Sequence, residues 1–420
     1  MPRRTKASPI SHAAARNAGS LPALEPQKTQ TFFTRAWYRT VRYPCRMQIT
    51  DLPTPQVLID RRRLTANIER MQTAATRGGM TLRPHTKTHK SPRVAKWQVD
   101  AGASGIACAK IGEAEVFADA GFTDIRLPYP INPSNSDRLL ALMERAQISI
   151  VVDHAAVATE WSEAMLAAGK QLDVLVKVDV GYHRCGIDPA LATAVPFLTQ
   201  VAALPGLRLR GLLSHAGQSC DVTSAAELAA VAKDEAELLR TLAAEARRAG
   251  VAVDEISVGS TATAMLSATE PDITELRPGN YVYYDRSQVA IGSASLEDCA
   301  LSVMATVVSK PADNRIVLDC GSKTLTSDTG RGMVRPKGYG AVFAGLDALA
   351  PDDSLLIARL SEEHGVVEVQ TGATRLEPGD RVRVLPNHSC VVSNLVDAVR
   401  LVEGSTVVDT LPVAARGKIS

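Results

Sequence analysis

The sequence predicts an α/β protein: a closed, parallel (β/α)8 barrel of the TIM type, followed by a β-rich domain. Three observations predict it. Strand-like and helix-like segments alternate from Leu52 to about Ile291 and supply eight candidate strands. After Ser293 the pattern changes to short β-like runs separated by Gly, Pro and Asp turns. No G-x-G-x-x-G follows the first strand, which counts against the competing doubly wound sheet.

The elements follow in order. Residues 1–46 carry nine basic residues against one acid, Glu25, and show no helical or strand periodicity. They read as a disordered extension, or as an over-long reading frame starting in truth at Met47, in preference to an organelle transit peptide. Thr54–Asp60 is a short strand, and the stripe Leu64, Ile68, Met71 and Ala75 has helical spacing. The barrel strands are expected at 81–85, 105–108, 125–128, 148–152, 174–179, 207–215, 255–259 and 274–281, with Ala/Leu/Glu-rich helices such as 225–249 between them. The barrel domain is placed at 47–292 and the β domain at 293–420. Within the latter, strands are expected at 303–308, 315–318, 355–360, 366–369, 381–385 and 399–402.

Composition excludes several function classes. A net charge of +2 over 420 residues gives no strong overall field for nucleic acid or a membrane surface. No apolar run is long enough to span a bilayer. Seven scattered cysteines without a C-x-x-C pair point to a reducing, cytoplasmic compartment.

The stretch Leu82–Lys90 organises the rest. It holds Arg83, Lys87 and Lys90 with His85 and His89 at the end of a strand. An amine that attacks a carbonyl must be neutral, and neighbouring cations favour the neutral form. Lys87, with Arg83 and Lys90 beside it, is the expected nucleophile. In isolation the same cluster reads as a solvated basic turn binding phosphate or nucleic acid.

Other polar residues gather where barrel strands end, the active face of such folds. Asp179, His183 and Arg184 follow the fifth strand, Ser214-His215 the sixth, Gly259-Ser260-Thr261 the seventh, and Asn280, Tyr281 and Asp285 the eighth. The small Gly259-Ser260-Thr261 turn lets backbone N–H groups approach a phosphate, and the hydroxyls add donors. Near the C-terminus, His388 and Cys390 stand at i and i+2 in Pro386–Cys390, so on an extended segment they point the same way. Imidazole and thiolate suit zinc, and two protein ligands make an open site. By spacing alone, a buried cysteine and a hydrogen-bonded histidine are the favoured explanation of the pair.

The R-P-H-T-K-T-H-K and P-N-H-S-C segments together resemble the D-serine dehydratase and D-threonine aldolase-like family of fold-type III pyridoxal-phosphate enzymes, whose barrels are alanine-racemase-like. The resemblance extends from about residue 52 to the end. It implies that Lys87 holds pyridoxal 5'-phosphate covalently, that Arg184 faces the cofactor phenolate, and that His85, Gly259, Ser260, Thr261 and Tyr281 help bind the cofactor. It further implies a divalent metal on His388 and Cys390, zinc first and Mn²⁺ as the alternative, and a homodimer. The G-S-T and L-R-P-G-N-Y segments match the dehydratase side, whereas bacterial aldolases look more like G-G-G-T-G-S and carry H-x-D for H-x-C. The implied function is lysis of a small β-hydroxy-D-amino acid, by dehydration to a 2-keto acid and ammonia or by aldol cleavage to glycine and an aldehyde. A non-catalytic pyridoxal-phosphate carrier would be a barrel alone, so the β domain counts against it. A nucleic-acid binder at Arg83–Lys90 would want interleaved aromatics, and none are present.

Overall fold

In the computed structural model of the chain, residues 47–420 are described; the basic segment 1–46 lies outside them. The eight expected strands form one parallel sheet in sequential order: Thr81–Leu82, Ile106–Ala107, Asp124–Pro130, Gln147–Val152, Leu172–Lys177, Leu207–Leu213, Glu255–Val258 and Glu275–Leu276. Its two edges meet. Thr81–Leu82 pairs with Glu275–Leu276 on one side, and on the other a parallel bridge joins His85 to Ala107. Ser104 N also donates to Leu82 O, and Ala107 N to Pro84 O, each at 2.9 Å. Strands covered on both faces read as continuous apolar runs, and every residue of Leu172–Lys177 is buried.

Helices cover the sheet for reasons visible in the chain. Asp60 caps the helix Arg61–Arg77 by accepting from Arg63 N at 3.0 Å. Its buried face is the predicted stripe Leu64, Ile68, Met71 and Ala75. Ser224 caps the 24-residue helix Ala225–Arg248 by accepting from Glu227 N, and that helix buries Glu235 among its alanines and leucines.

A buried ion network ties four strands together. Arg83 Nε meets Glu275 Oε2 at 2.7 Å and Arg83 Nη1 meets Asp124 at 2.6 Å. Arg126 bridges Glu275 (2.5 Å) and Glu255 (2.7 Å). Burial alone would raise the Glu275 carboxyl, but Arg126 and Arg83 outweigh it and hold it at about 2.

The second sheet has nine strands and corrects the expected domain boundary. Gln56–Asp60, assigned from sequence to the barrel domain, pairs antiparallel with Leu301–Ala312 and parallel with Ala398–Glu403. A strand that precedes the barrel in the chain therefore sits inside the β-domain sheet, joining Leu301–Ala312 to Ala398–Glu403. An apolar run buried on both faces carries no mark of which sheet it will join. Ala341–Phe343 and Thr406–Pro412 are further strands absent from the sequence reading. Of the described residues, no helix is long and apolar enough to cross a membrane, and the six described cysteines are free.

Candidate active site

The C-terminal ends of the barrel strands and one face of the β domain enclose a cavity of about 570 Å³. Lys87 reaches it from the turn Thr86–Thr88. Alternate residues of that turn face opposite ways. Thr86 is buried and donates to Ala107 O or Glu113 Oε1, both at 3.0 Å. Thr88 is buried against Cys390, with Oγ1–Sγ at 3.2 Å, and Lys87 between them is exposed to the cavity. The basic cluster does not stay together. Arg83 is consumed by Glu275 and Asp124. His89 is buried edge-on against Phe117, and Lys90 is buried. The cations that share the cavity with Lys87 come instead from other strands: Lys177, Arg184 and Arg277 from the barrel, Arg331 and Arg335 from the β domain.

Lys177 carries no sequence signal of its own and Arg277 enters the sequence reading only within the L-R-P-G-N-Y segment, although each stands where a strand ends. Burial, then Arg277 and Arg184, bring the Lys177 ammonium down to about 7. Burial brings Arg277 down to about 10, while its Nε donates to Ser257 Oγ (2.6 Å) and Nη2 to Ser214 O (2.5 Å). Glu235 stands behind them, fully buried, accepting from Ser214 Oγ at 2.5 Å; burial pushes its carboxyl up.

Two neutral histidines flank Lys87. Burial, Lys87 and further cations hold both His85 and His215 well below the usual imidazole range. Lys87 N donates to His85 Nδ1 at 3.4 Å, so the ring proton of His85 is on Nε2. His215 Nδ1 contacts the Gly259 carbonyl, which can only accept, so His215 keeps its lone pair on Nε2. The cavity thus receives one imidazole donor and one imidazole acceptor.

Arg184 lies in the loop after the fifth strand. Asp179 shapes that loop by accepting from Gly181 N and His183 N, both at 3.0 Å. Gly186 has φ +118 and sits so close to Val178 and Asp179 that a Cβ would be 2.6 Å from their backbone. The Arg184 guanidinium covers the Tyr182 ring at 5.2 Å, and Tyr182 meets His215 edge-on at 5.8 Å. Ser260 and Thr261 line the opposite part of the cavity; Ser260 Oγ contacts Ser219 Oγ at 2.9 Å. The Tyr281 phenol does not line the cavity. Its side chain is fully buried away from the cavity, with the hydroxyl accepting from Gln98 Nε2 at 2.9 Å. Only its backbone approaches the site, N donating to Thr261 Oγ1 at 3.2 Å.

His388 and Cys390 both line the cavity, but not from an extended segment. His388 is the N-cap of the short helix Ser389–Asn394, and the cap turn brings imidazole and thiol into contact. His388 Nδ1 also meets Asp328 Oδ2 at 2.6 Å. Burial would lower His388, yet Cys390, Asp285 and Asp328 outweigh it and raise it; burial would raise the Cys390 thiol, yet His388 brings it down. Asn280 Nδ2 points at Cys390 Sγ (3.5 Å) and at Asp285 (2.6 Å). Asp328 had no sequence signal, lying in an irregular segment 60 residues before its partner.

Comparison with known proteins agrees with this geometry. Residues 59–287 match the alanine racemase N-terminal domain, and residues 300–402 match a putative serine dehydratase domain. The chain is 36% identical to a D-threonine aldolase from Arthrobacter sp over 374 residues, 88% of this chain and 94% of the relative. The chain belongs to the D-serine dehydratase and D-threonine aldolase-like family of fold-type III pyridoxal-phosphate enzymes. It is also 35% identical to the D-threo-3-hydroxyaspartate dehydratase of Delftia sp. (strain HT23) over 81% of this chain and 92% of the relative. The solved structure of the Delftia enzyme superposes with a TM-score of 0.81 at 32% identity, covering 87% of this chain and 98% of that one. A D-serine dehydratase from Dictyostelium discoideum is 28% identical over 82% of this chain and 92% of the relative.

Pyridoxal phosphate is the cofactor expected of this family, and the cavity fits it. Lys87, Lys177, Arg184, Arg277, Arg331 and Arg335 line it against the carboxylates of Asp285 and Asp328. That excess of cations suits a phosphate dianion. The metal fit is narrower: among the described residues, no group of three or more His, Cys, Asp or Glu is placed to hold an ion. His388 and Cys390 would supply two donors to such an ion.

Proposed function

We propose that the protein is a pyridoxal-phosphate- and metal-dependent lyase of β-hydroxy-D-amino acids, with the D-serine dehydratase type of outcome: a 2-keto acid and ammonia. One observation carries the reading. Cys390 of the β domain touches Thr88, the residue after Lys87, so the amine and the imidazole–thiol pair work on one substrate in one cavity. A lyase of this kind has to handle a proton at Cα and an oxygen at Cβ, and the two groups divide that task.

Lys87 would hold the cofactor, Ser260 and Thr261 would receive its phosphate, and Arg184 its phenolate oxygen. Pyridoxal phosphate supplies an electron sink for charge at Cα. A divalent cation on His388 and Cys390 supplies Lewis acidity for the β-oxygen. The chain's own groups do the rest. Lys87 Nζ takes the Cα proton, which departs with the β-hydroxyl as water; the enamine released then takes up one water from solvent to give the 2-keto acid and ammonia. The β domain covers the strand ends and limits access of bulk water during the first step. Solved structures of a related D-threo-3-hydroxyaspartate dehydratase support the metal reading. One carries a histidine-to-alanine change and another a cysteine-to-alanine change in the metal-free form, two positions apart like His388 and Cys390.

Aldol cleavage is the second reading, favoured by the Arthrobacter aldolase relative. It would use the same groups, with the β-hydroxyl deprotonated and Cα–Cβ broken. Incubation of the purified, cofactor-loaded protein with D-serine and D-threonine separates them. Pyruvate or 2-oxobutyrate with ammonia supports dehydration, and glycine with acetaldehyde supports the aldolase. With D-threo-3-hydroxyaspartate the corresponding products are oxaloacetate with ammonia, or glycine with glyoxylate. Absence of ammonia, keto acid, glycine and aldehyde with all three substrates would sink the lyase reading.

A further inference from the structure

The segment 326–339 of the β domain forms one wall of the cavity and is clamped along its length. Asn387 Nδ2 donates to the carbonyls of Asp328 (3.1 Å) and Gly338 (2.9 Å). Arg331 N donates to Ser287 Oγ at 3.2 Å, Met333 N to Ala290 O at 3.0 Å, and Arg286 Nη1 to Lys337 O at 2.6 Å. Gly332, at φ +127, lies so close to Ala290 that a Cβ would be 2.6 Å from its carbonyl carbon. The backbone on both sides of position 335 is therefore held, and what this wall presents to the cavity is set by the fold.

It presents two guanidinium groups. Arg331 is spent on Asp221, with Nε–Oδ1 at 3.1 Å and Nη2–Oδ2 at 2.5 Å. Arg335 also lines the cavity, and it makes no hydrogen bond, ion pair or ring contact among the described residues. Both carboxylates of the cavity are already engaged. Asp328 is on His388, and Asp285 accepts from Gln288 N, Ser389 N and Asn280. The wall that meets His388 through Asp328 thus holds, in Arg335, a cation with no counter-charge among the described residues.

We infer that Arg335 binds a carboxylate on the β-carbon of the substrate, so that the favoured substrates are β-hydroxy D-amino dicarboxylic acids over D-serine and D-threonine. This rests on the lyase reading above. A β-hydroxyl directed at His388 and Cys390 brings the other Cβ substituent to the same wall. A hydrogen or a methyl there leaves the guanidinium unmatched, whereas a carboxylate offers it a charge-assisted, bidentate pair.

The test compares kcat/KM of the holoenzyme for D-threo-3-hydroxyaspartate, D-threonine and D-serine, in the wild type, Arg335→Leu and Arg335→Lys. The wild type should favour hydroxyaspartate. Arg335→Leu should lower the hydroxyaspartate-to-threonine ratio by on the order of 30-fold, with Arg335→Lys between the two because it keeps the charge and loses the fork. The ratio is its own control for folding and cofactor loading, which affect both substrates alike. A ratio within about threefold of the wild type in Arg335→Leu overturns the inference. So does a wild type that turns over D-serine or D-threonine and not hydroxyaspartate, which leaves the lyase reading standing. A wild type inactive on all three substrates overturns both.

Discussion

The Asp328 carboxylate accepts from Nδ1 of His388 at 2.6 Å, and this leaves Nε2 as the imidazole nitrogen that, with Cys390, would hold the proposed metal. Outer carboxylates of this kind orient a ligand histidine and raise its basicity. Asp328→Ala should weaken metal retention by about 10–100-fold, with Asp328→Asn closer to the wild type. Metal content after dialysis against a graded chelator is the measurement. Equal retention in both variants would mean that the pair is a surface contact only.

Lys87→Ala should abolish turnover and the visible absorption of bound cofactor, with the melting temperature of the apo-protein changed little, because the side chain stands free in the cavity. Borohydride treatment should label Lys87 in the wild type and nothing in the variant. Lys90 is no substitute, since it is buried out of the cavity. A cofactor-labelled peptide in Lys87→Ala would refute the assignment.

Chelation should stop turnover while cofactor absorbance and fold persist, because two protein ligands contribute little to holding the β domain together. His388→Ala should behave in the same way. Cys390→Asp exchanges a soft ligand for a hard one, so zinc preference should fall and some activity with Mn²⁺ should remain. Full-rate turnover by metal-stripped enzyme would return His388 to the role of an acid–base group.

Lys177 gives a pH signature. Its ammonium titrates near 7 in the folded chain against the ordinary lysine value of 10.5, so the unfolded chain binds more protons between those limits. The destabilisation from burying this charge is complete below about pH 7 and shrinks as pH rises toward 10.5. Lys177→Met should therefore stabilise the protein more at pH 6 than at pH 9, read as the shift in urea midpoint. An equal shift at both pH values would show that Lys177 is solvated in the folded state.

Glu275 gives the opposite case. Its folded value of about 2 lies below the ordinary glutamate value of 4.5, so its contribution is present above about pH 4.5 and is lost as pH falls through about 2. Glu275→Gln removes the one fully buried carboxylate that Arg83 and Arg126 share, leaving each with only its more exposed partner, Asp124 or Glu255, and should cost about 3–5 kcal/mol at pH 7. Denaturant unfolding measures it; a loss below about 1 kcal/mol would mean that water or Asp124 and Glu255 suffice to neutralise the two arginines.

Much of the site was legible because barrel strands announce themselves by local alternation, and their C-terminal ends are the active face. His85, Lys87, Arg184, Gly259, Ser260, Thr261, His388 and Cys390 all line one cavity, as their positions after strands and their resemblance to the family led us to expect. Tertiary structure alone decided which sheet Gln56–Asp60 would join, since an apolar strand buried on both faces fits either. It sent Arg83 to Glu275 and away from Lys87, turned the Tyr281 phenol toward Gln98, and brought Asp328 to His388 across 60 residues of chain. Periodicity and turn chemistry are properties of neighbouring residues, whereas the partner of a charged side chain is chosen by whichever opposite charge the packed elements bring within a few ångströms.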